Sequence, residues 1–177
     1  MNRPLWISCA IAAAAAAVVV HATESLRIVP IVHEDEVLVS FELADAYTDE
    51  VREAISSGLR TTFTYEIELR LIVPAWVDRT IVTSVATVTD QYDNLTRRHS
   101  LTRMVDGRVE ETVVTGDEAV VRRWLTTLSR LRLCGTSKLD ASHDYYVRIG
   151  ARVRPRQASL IAWPSTIVGL AKFTFIP

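Results

Sequence analysis

The sequence predicts a mainly β to α+β domain, either an antiparallel β-sandwich or a curled antiparallel sheet, with two packed amphipathic helices. Three observations predict this fold class. Apolar and polar residues alternate along most of the chain with the two-residue period of a half-buried strand. Short turns join consecutive strands, which implies antiparallel pairing. Two segments break the alternation with the three-to-four-residue spacing of a helix.

The strands are predicted from this alternation. It is clearest in residues 63–71, where apolar residues alternate with Thr, Glu and Arg, as in a strand with one face on a core. The same pattern predicts strands at 26–32, 37–43, 79–92, 95–105, 108–114 and 145–153, with 173–176 as a candidate last strand. Asp106-Gly107 is typical of a tight hairpin turn. Pro30 favours an edge position for the first strand.

Two amphipathic helices are predicted between the strands. The first covers 48–58, with Thr48 as its N-cap and Gly58 just beyond its C-terminus. The second covers 116–130. Thr115 and Glu118 have the spacing of a capping box at its start, and an apolar stripe follows. The stripe consists of Val121, Trp124, Leu125 and Leu128. Each helix is predicted to pack its apolar face on a sheet.

The N-terminal 22 residues have the pattern of a secretory signal peptide. Arg3 is their only charge, residues 5–20 are almost wholly apolar, and Val20-His21-Ala22 resembles an A-x-A cleavage site. The sequence therefore predicts a signal peptide over 1–22 and a single β-rich domain over 23–177, exported to the periplasm or associated with the cell envelope. The alternative is a retained anchor, but the apolar run is shorter than the roughly 20 residues that span a bilayer. After cleavage, no stable membrane insertion is expected.

The composition of the mature chain argues against two classes of protein, disulfide-stabilised domains and nucleic-acid-binding proteins. Loss of Arg3 leaves 19 of the 20 basic residues against 21 acidic ones, and loss of Cys9 leaves Cys134 as the only cysteine. An internal disulfide is therefore impossible, and stability must come from the core. A slightly acidic, exported chain without interleaved exposed aromatics is not expected to bind nucleic acid.

The charges are distributed unevenly, and this asymmetry provides the candidate binding residues. Residues 23–96 carry 5 basic and 14 acidic side chains, whereas 97–156 carry 13 basic and 7 acidic ones. Arginines follow two predicted strands: Arg148, Arg152 and Arg154 on one, and Arg97, Arg98 and Arg103 on the other. Pairing between neighbouring acidic and basic strands is the favoured interpretation. If the two halves lie apart, the arginines instead form a face for anionic partners.

No sequence pattern indicates a catalytic centre. His33, His99 and His143 have no recognised spacing with a nucleophile, and activity as an enzyme is therefore not predicted. The lone Cys134 follows a Leu-rich predicted helix end, where a buried packing role is more typical than a reactive thiol.

Metal and cofactor motifs do not occur either. Asp90, Asp93 and Asn94 lie close together at one predicted turn and could ligate calcium, but the full loop pattern is missing. Their spacing is more typical of an Asx turn that closes a hairpin. We therefore expect neither a metal nor a cofactor.

Several segments together resemble a known family. They are FELADAYTDEVREAISSGLRTTFTYEIELRL at 41–71, Tyr92 to Arg97, the strand from Tyr145 to Pro155, and the closing residues 173–177. The chain resembles an uncharacterised bacterial family of exported β-rich proteins, which is named only as a domain of unknown function. The resemblance implies a signal peptide, one β-rich domain and no established activity. Some members are encoded beside a transmembrane sensor kinase of the nitrogen-regulation type, which suggests an envelope protein such as that kinase as a partner.

Three functions remain open at this point. The leading hypothesis is a non-catalytic exported module that binds a protein partner through a sheet edge or the arginine-rich face. The first alternative is a carrier of an apolar small ligand in a cavity between sheet and helix. The second is an enzyme whose residues meet only in the fold. An exposed edge strand favours the module, a large apolar pocket favours the carrier, and a cleft where a histidine meets a carboxylate or Cys134 favours the enzyme.

Overall fold

A computed structural model describes residues 25–155 and 166–176 of the chain, and the predicted signal peptide lies outside this part. In chain order the elements are β1 (Leu26–His33), β2 (Glu36–Leu43), α1 (Asp49–Ser56), β3 (Thr61–Leu71), β4 (Arg79–Asp93), β5 (Arg98–Val105), β6 (Arg108–Thr115), α2 (Glu118–Thr126), β7 (Thr127–Gly135), a short 3-10 helix (Thr136–Lys138), β8 (Asp144–Pro155) and β9 (Ile167–Thr174). In this part of the chain, no helix has the length and hydropathy needed to cross a membrane.

Two antiparallel sheets pack against each other, which confirms the predicted fold class. The larger sheet has the strand order β6-β5-β4-β3-β8-β9, and the smaller has the order β1-β2-β7. The first strand lies at an edge, as Pro30 predicted. The last strand begins earlier than the predicted 173–176 segment, at Ile167.

The core lies between the inner faces of the two sheets and is completed by the helices. Tyr65 of β3 contacts both the opposite sheet and a helix. Its ring lies 4.8 Å from that of Phe41 on β2, and its hydroxyl donates to the carbonyl of Leu125 on α2. β1 and β9 also approach closely. A Cβ at Gly169 would lie 3.0 Å from side-chain atoms of Leu26 and Ile28, so a larger residue there would push these side chains aside.

Helix α1 matches its prediction closely. The backbone N–H of Val51 donates to Thr48 Oγ1, and Thr48 is therefore the N-cap. Val51 and Ile55 are buried. Gly58 has a φ of 84°, the left-handed conformation that glycine adopts without strain after a helix.

Helix α2 is shorter than predicted and has a different cap. The side chain of Asp117 is the N-cap and accepts from the N–H of Ala119 at 2.8 Å. Thr115 Oγ1 accepts from the N–H of Asp117 and so stabilises the approach to the helix rather than its first turn. The predicted capping box of Thr115 and Glu118 was therefore wrong. Two adjacent polar residues competed for the cap position, and the one nearer the helix occupies it.

The segment after α2 is strand β7, not the end of a helix. The sequence predicted a helix as far as residue 130, because Leu128 follows Leu125 at a helical spacing, and Leu131 and Cys134 continue this three-residue spacing beyond the predicted end. The pairing of β7 with β2 shifts twice, between Val37 and Leu38 and between Val39 and Phe41. Each shift is a bulge that places an extra residue in β7, and a bulge breaks the two-residue period. Cys134 therefore lies in a strand, not after a helix.

Candidate functional site

Arg148 and Arg152 project from the outer face of β8 and pair with acidic residues of β3. Arg148 Nη1 lies 3.6 Å from Glu68 Oε2, and Arg152 Nη1 lies 3.0 Å from Glu66 Oε1. This is the pairing of basic and acidic strands that the sequence favoured. The side chain of Arg154 lies outside the described residues.

The other three predicted arginines do not share a face. Arg97 lies in the turn between β4 and β5 with a φ of 55°. Arg98 and Arg103 are five residues apart on β5, and because strand side chains alternate they point to opposite faces. Only Arg103 points inward, opposite the buried Val88. A binding role for the six arginines therefore stays a prediction, and they do not form one surface.

Arg103 lies against an aromatic ring at the open side of the sandwich. Its guanidinium carbon is 4.2 Å from the ring centroid of Trp124, a distance at which a cation and an indole attract each other. Arg103 Nη1 also lies 3.0 Å from Glu111 Oε2, and the side chain is 20% exposed. Among the described residues, Arg103 Nε and Trp124 Nε1 are buried without a hydrogen-bond partner.

Two adjoining depressions flank Arg103, and we call them together the arginine cleft. The first has a volume of about 200 Å³ and is lined by Arg103, Val120, Arg123, Trp124, Thr127 and Ser129. The second has a volume of about 210 Å³ and is lined by Arg103, Glu110, Leu128, Ser129, Arg130, Leu131 and Arg132. The arginine cleft therefore runs between β5 and β6 of the larger sheet and β7, an edge strand of the smaller one.

A bulge in β7 places Arg130 in this cleft. Arg130 has a φ of 54°, the left-handed region that a non-glycine residue rarely adopts. Its backbone N–H donates to Ser40 Oγ at 2.9 Å, which fixes the bulge to β2. Bulges are common beside binding sites because the extra residue re-aims a side chain. The strained backbone therefore belongs to a residue that lines the cleft.

The cleft carries positive charge that its own acidic residues do not neutralise. Arg103 pairs with Glu111, and Arg132 Nε pairs with Glu36 Oε1 at 2.6 Å. Within residues 25–155 and 166–176, no carboxylate forms an ion pair with Arg123 or Arg130. A concave surface with unpaired arginines concentrates a positive field and attracts anionic groups.

Sequence reasoning found one member of the arginine cleft and missed the others. Arg103 was among the candidate residues, but Arg123, Arg130 and Arg132 were not. Arg123 and Arg130 lie in the predicted helix over 116–130 and Arg132 lies just beyond it, and their proximity to β5 could not be inferred from that prediction. The only available signal was the excess of basic residues in 97–156.

The histidine that meets a carboxylate is His99. Its Nδ1 lies 2.9 Å from Oδ2 of Asp90, which is fully buried on the inner face of β4, and the ring of Tyr92 lies 4.6 Å away. Burial raises the pKa of Asp90, and the hydrogen bond from His99 opposes that rise. In the described part of the chain, no hydroxyl or thiol hydrogen-bonds to His99. The pair therefore lacks the nucleophile that a catalytic dyad would activate.

The other residues considered from the sequence, Cys134, His143 and Asp93, have contacts that are typical of structural residues. Cys134 is buried, and burial raises the pKa of its thiol, which keeps it protonated. His143 Nδ1 lies 2.9 Å from the carbonyl oxygen of Ala141 in an exposed turn. Asp93 Oδ1 accepts from the N–H of Leu95 at 2.8 Å, which confirms the predicted Asx turn. Over the described ranges, no three His, Cys, Asp or Glu residues are grouped as a metal site would require.

A larger depression, of about 400 Å³, lies between the first turns of the two helices. Its lining residues are Tyr47, Asp49, Arg52, Glu118, Ala119 and Arg122. Charged residues make up most of this lining, and several of its polar groups bond to one another. Arg52 Nη2 lies 2.6 Å from Asp49 Oδ1, and the hydroxyl of Tyr47 donates to Glu118. Burial, with the neighbouring Glu118 second, raises the pKa of Tyr47 to about 12. Such a lining does not suit an apolar ligand.

Comparison with known proteins identifies a family by sequence. A family model matches residues 22–167, a range that includes every element from β1 to β8 and therefore the whole arginine cleft. No curated protein and no solved structure matches the chain. Since the family model covers most of its length, the chain belongs to the family described as Domain of unknown function (DUF4390).

Proposed function

We propose that this protein is a non-catalytic exported module that binds an acidic, extended segment of an envelope protein in the arginine cleft. The observation that carries the proposal is the pair of un-neutralised arginines, Arg123 and Arg130, beside Arg103 and Trp124. Export is the expectation drawn from residues 1–22. Arginine is well suited to a carboxylate because its planar guanidinium can donate two parallel hydrogen bonds.

The shape of the cleft favours an extended segment over a compact ligand. Its two depressions, of about 200 and 210 Å³, adjoin at Arg103 and Ser129, and each is large enough for one side chain. β7 is an edge strand, so one side of its main chain has no strand partner among the described elements. A peptide that aligns with such an edge gains main-chain hydrogen bonds, and the depressions select its side chains.

The arginines of β8 are less suited to this role. Arg148 and Arg152 already face Glu68 and Glu66, so a partner carboxylate would have to compete with those glutamates. Arg123 and Arg130 form no ion pair among the described residues, although Glu110 also lines the second depression, so an anionic segment can bind them without breaking an ion pair. The arginine cleft is therefore the preferred part of the basic surface.

The two alternative functions lack the features that would favour them. A carrier requires a large apolar pocket, whereas most of the lining of the 400 Å³ depression is charged. An enzyme would be favoured by a cleft in which a histidine meets a carboxylate. His99 does meet Asp90, but neither residue lines any of the depressions described above, and no described hydroxyl or thiol bonds to His99. The exposed edge beside a basic cleft favours the binding module.

The proposal is tested with a labelled acidic peptide and two matched variants. The probe is a fluorescein-labelled octapeptide of alternating Glu and Val, and its control has Gln in place of Glu. The double variant Arg123→Gln/Arg130→Gln removes two charges from the cleft, and Arg148→Gln/Arg152→Gln removes two charges from β8. Both pairs are surface residues, and both variants are therefore expected to fold.

We expect the wild type to bind the Glu peptide and not the Gln peptide. The cleft variant should bind at least about tenfold more weakly, equivalent to about 1.4 kcal/mol, because two charge-assisted hydrogen bonds are lost. The β8 variant should bind within about twofold of the wild type, a difference of less than about 0.5 kcal/mol. Equal loss in both variants would indicate attraction by net charge alone and would contradict the proposal.

A further inference from the structure

The loop between β3 and β4 displays two apolar side chains to solvent. Trp76 is 81% exposed and Val77 is 74% exposed, at the tip of a loop that belongs to neither sheet. Tryptophan is among the residues that contribute most to protein–protein interfaces, because its large indole buries much apolar area at a low entropic cost. An adjacent Trp and Val that the fold leaves uncovered therefore mark a surface that gains from contact with a partner.

The base of this loop is held rigidly by Asp78. Its Oδ1 accepts from the backbone N–H of Val73 at 3.2 Å, and its Oδ2 accepts from the hydroxyl of Tyr146 at 3.0 Å. Its carbonyl oxygen accepts from Arg70 Nη2 at 3.1 Å. Two side chains, from β3 and β8, and one backbone N–H of the loop thus hold Asp78 beside the exposed tip. The loop is anchored to β3 and β8 and is not a loose connection.

The tip itself is a defined turn. Ala75 has a φ of 60°, and the backbone N–H of Trp76 donates to the carbonyl of Val73 at 3.2 Å. A non-glycine residue in the left-handed region is strained and persists only where its surroundings require it. Trp76 follows Ala75 directly, and its side chain is exposed to solvent. A side chain presented on a rigid turn loses little freedom on binding, which favours affinity.

From this geometry we infer that the Trp76–Val77 tip is a docking element that inserts into an apolar pocket of a protein partner. The tip shares no residue with the arginine cleft, and the inference does not depend on the proposed function.

The charges around the tip favour a protein over a lipid surface. Arg79, the nearest cation along the chain, pairs with Asp140 at 3.4 Å, and Asp78 lies between Arg79 and the tip. An anionic bilayer attracts loops with an excess of basic residues, and this loop has none. A protein pocket with an apolar floor and a mixed polar rim matches an indole surrounded by compensated charges.

The inference is tested by site-specific photo-cross-linking of the full chain in its native cells. A photoreactive phenylalanine analogue replaces Trp76 in one strain and Leu95 in a control strain. Leu95 is 95% exposed in the β4–β5 turn, so the control is as accessible as the test position. Adducts are identified by peptide mass spectrometry, and the identified protein is purified for binding to the variants Trp76→Ala and Leu95→Ala.

We expect one protein to be cross-linked from position 76 and not from position 95. Binding of that protein should weaken at least about tenfold in Trp76→Ala and remain unchanged in Leu95→Ala. Unchanged binding of the Glu peptide by Trp76→Ala would confirm that the arginine cleft is intact, which separates this test from that of the proposed function.

Three results would overturn the inference. The first is the absence of a position-specific adduct with another protein. The second is flotation of the purified mature protein with vesicles of phosphatidylethanolamine and phosphatidylglycerol that Trp76→Ala abolishes, which would assign the tip to a lipid surface. The third is self-association in sedimentation velocity that Trp76→Ala abolishes, which would assign it to a second copy of the chain.

Discussion

Replacement of Trp124 by alanine tests whether helix α2 is held to the sheet by its apolar face. Trp124 is 8% exposed, and the guanidinium of Arg103 lies over its ring in a cation–π contact. Truncation of a buried Trp typically costs about 3–5 kcal/mol, because the transfer energy of the ring is lost and a cavity remains. The lost cation–π contact adds on the order of 1 kcal/mol. We therefore expect the free energy of unfolding to fall by about 3–5 kcal/mol or slightly more.

The measurement is urea denaturation of the mature protein, with Trp76→Ala as the matched control. Both variants lose the same side chain, but Trp76 is 81% exposed, so its removal should change the free energy of unfolding by less than about 0.5 kcal/mol. Equal unfolding midpoints for Trp124→Ala and the wild type would show that the Trp124 ring does not contribute to the core. The packing account of α2, and with it the wall of the arginine cleft, would then be wrong.

Three further predictions concern the helix cap, pH dependence and processing. Asp117→Ala should lower the free energy of unfolding by about 1 kcal/mol and Thr115→Ala by less, because the Asp117 side chain is the N-cap; the reverse order in urea denaturation would refute the assignment. Burial raises the pKa of Asp90 in the folded protein. The free energy of unfolding should therefore fall as pH rises from the ordinary carboxyl range through this raised pKa, because the buried carboxyl then loses its proton. Asp90→Asn should remove this pH-dependent fall, and a variant whose urea midpoint keeps the pH dependence of the wild type would contradict the prediction. The exported protein should begin at Thr23, and N-terminal sequencing that finds Met1 would exclude cleavage.

The strands could be predicted because their burial follows a strict period. In β3, buried and partly exposed residues alternate from Thr61 to Leu71 without interruption, and the sequence carries the same alternation. β7 could not be predicted, because two bulges convert its period into the three-residue spacing typical of a helix. A bulge depends on how the strand pairs with its partner, here β2. This pairing cannot be inferred from the residues of β7 alone.

The candidate site was harder to predict than the fold for a related reason. The paired arginines Arg148 and Arg152 were visible because they alternate along one strand. Arg123 and Arg130 come from a helix and a strand that meet Arg103 only after the two sheets pack. The sequence of one element shows the spacing of residues within it, whereas this cleft forms where β5, β6, α2 and β7 meet.

The most direct test of the central claim is the salt dependence of binding to the fluorescein-labelled Glu–Val peptide. Exposed charges are screened beyond a Debye length of about 8 Å at physiological ionic strength, so contacts that use arginines weaken as salt is added. We expect the affinity of the wild type and of Arg148→Gln/Arg152→Gln to fall steeply and in parallel between low and high salt. Arg123→Gln/Arg130→Gln should bind weakly throughout, with a shallower dependence. A cleft variant that keeps the affinity and the salt dependence of the wild type would contradict the claim that the arginine cleft is the binding site.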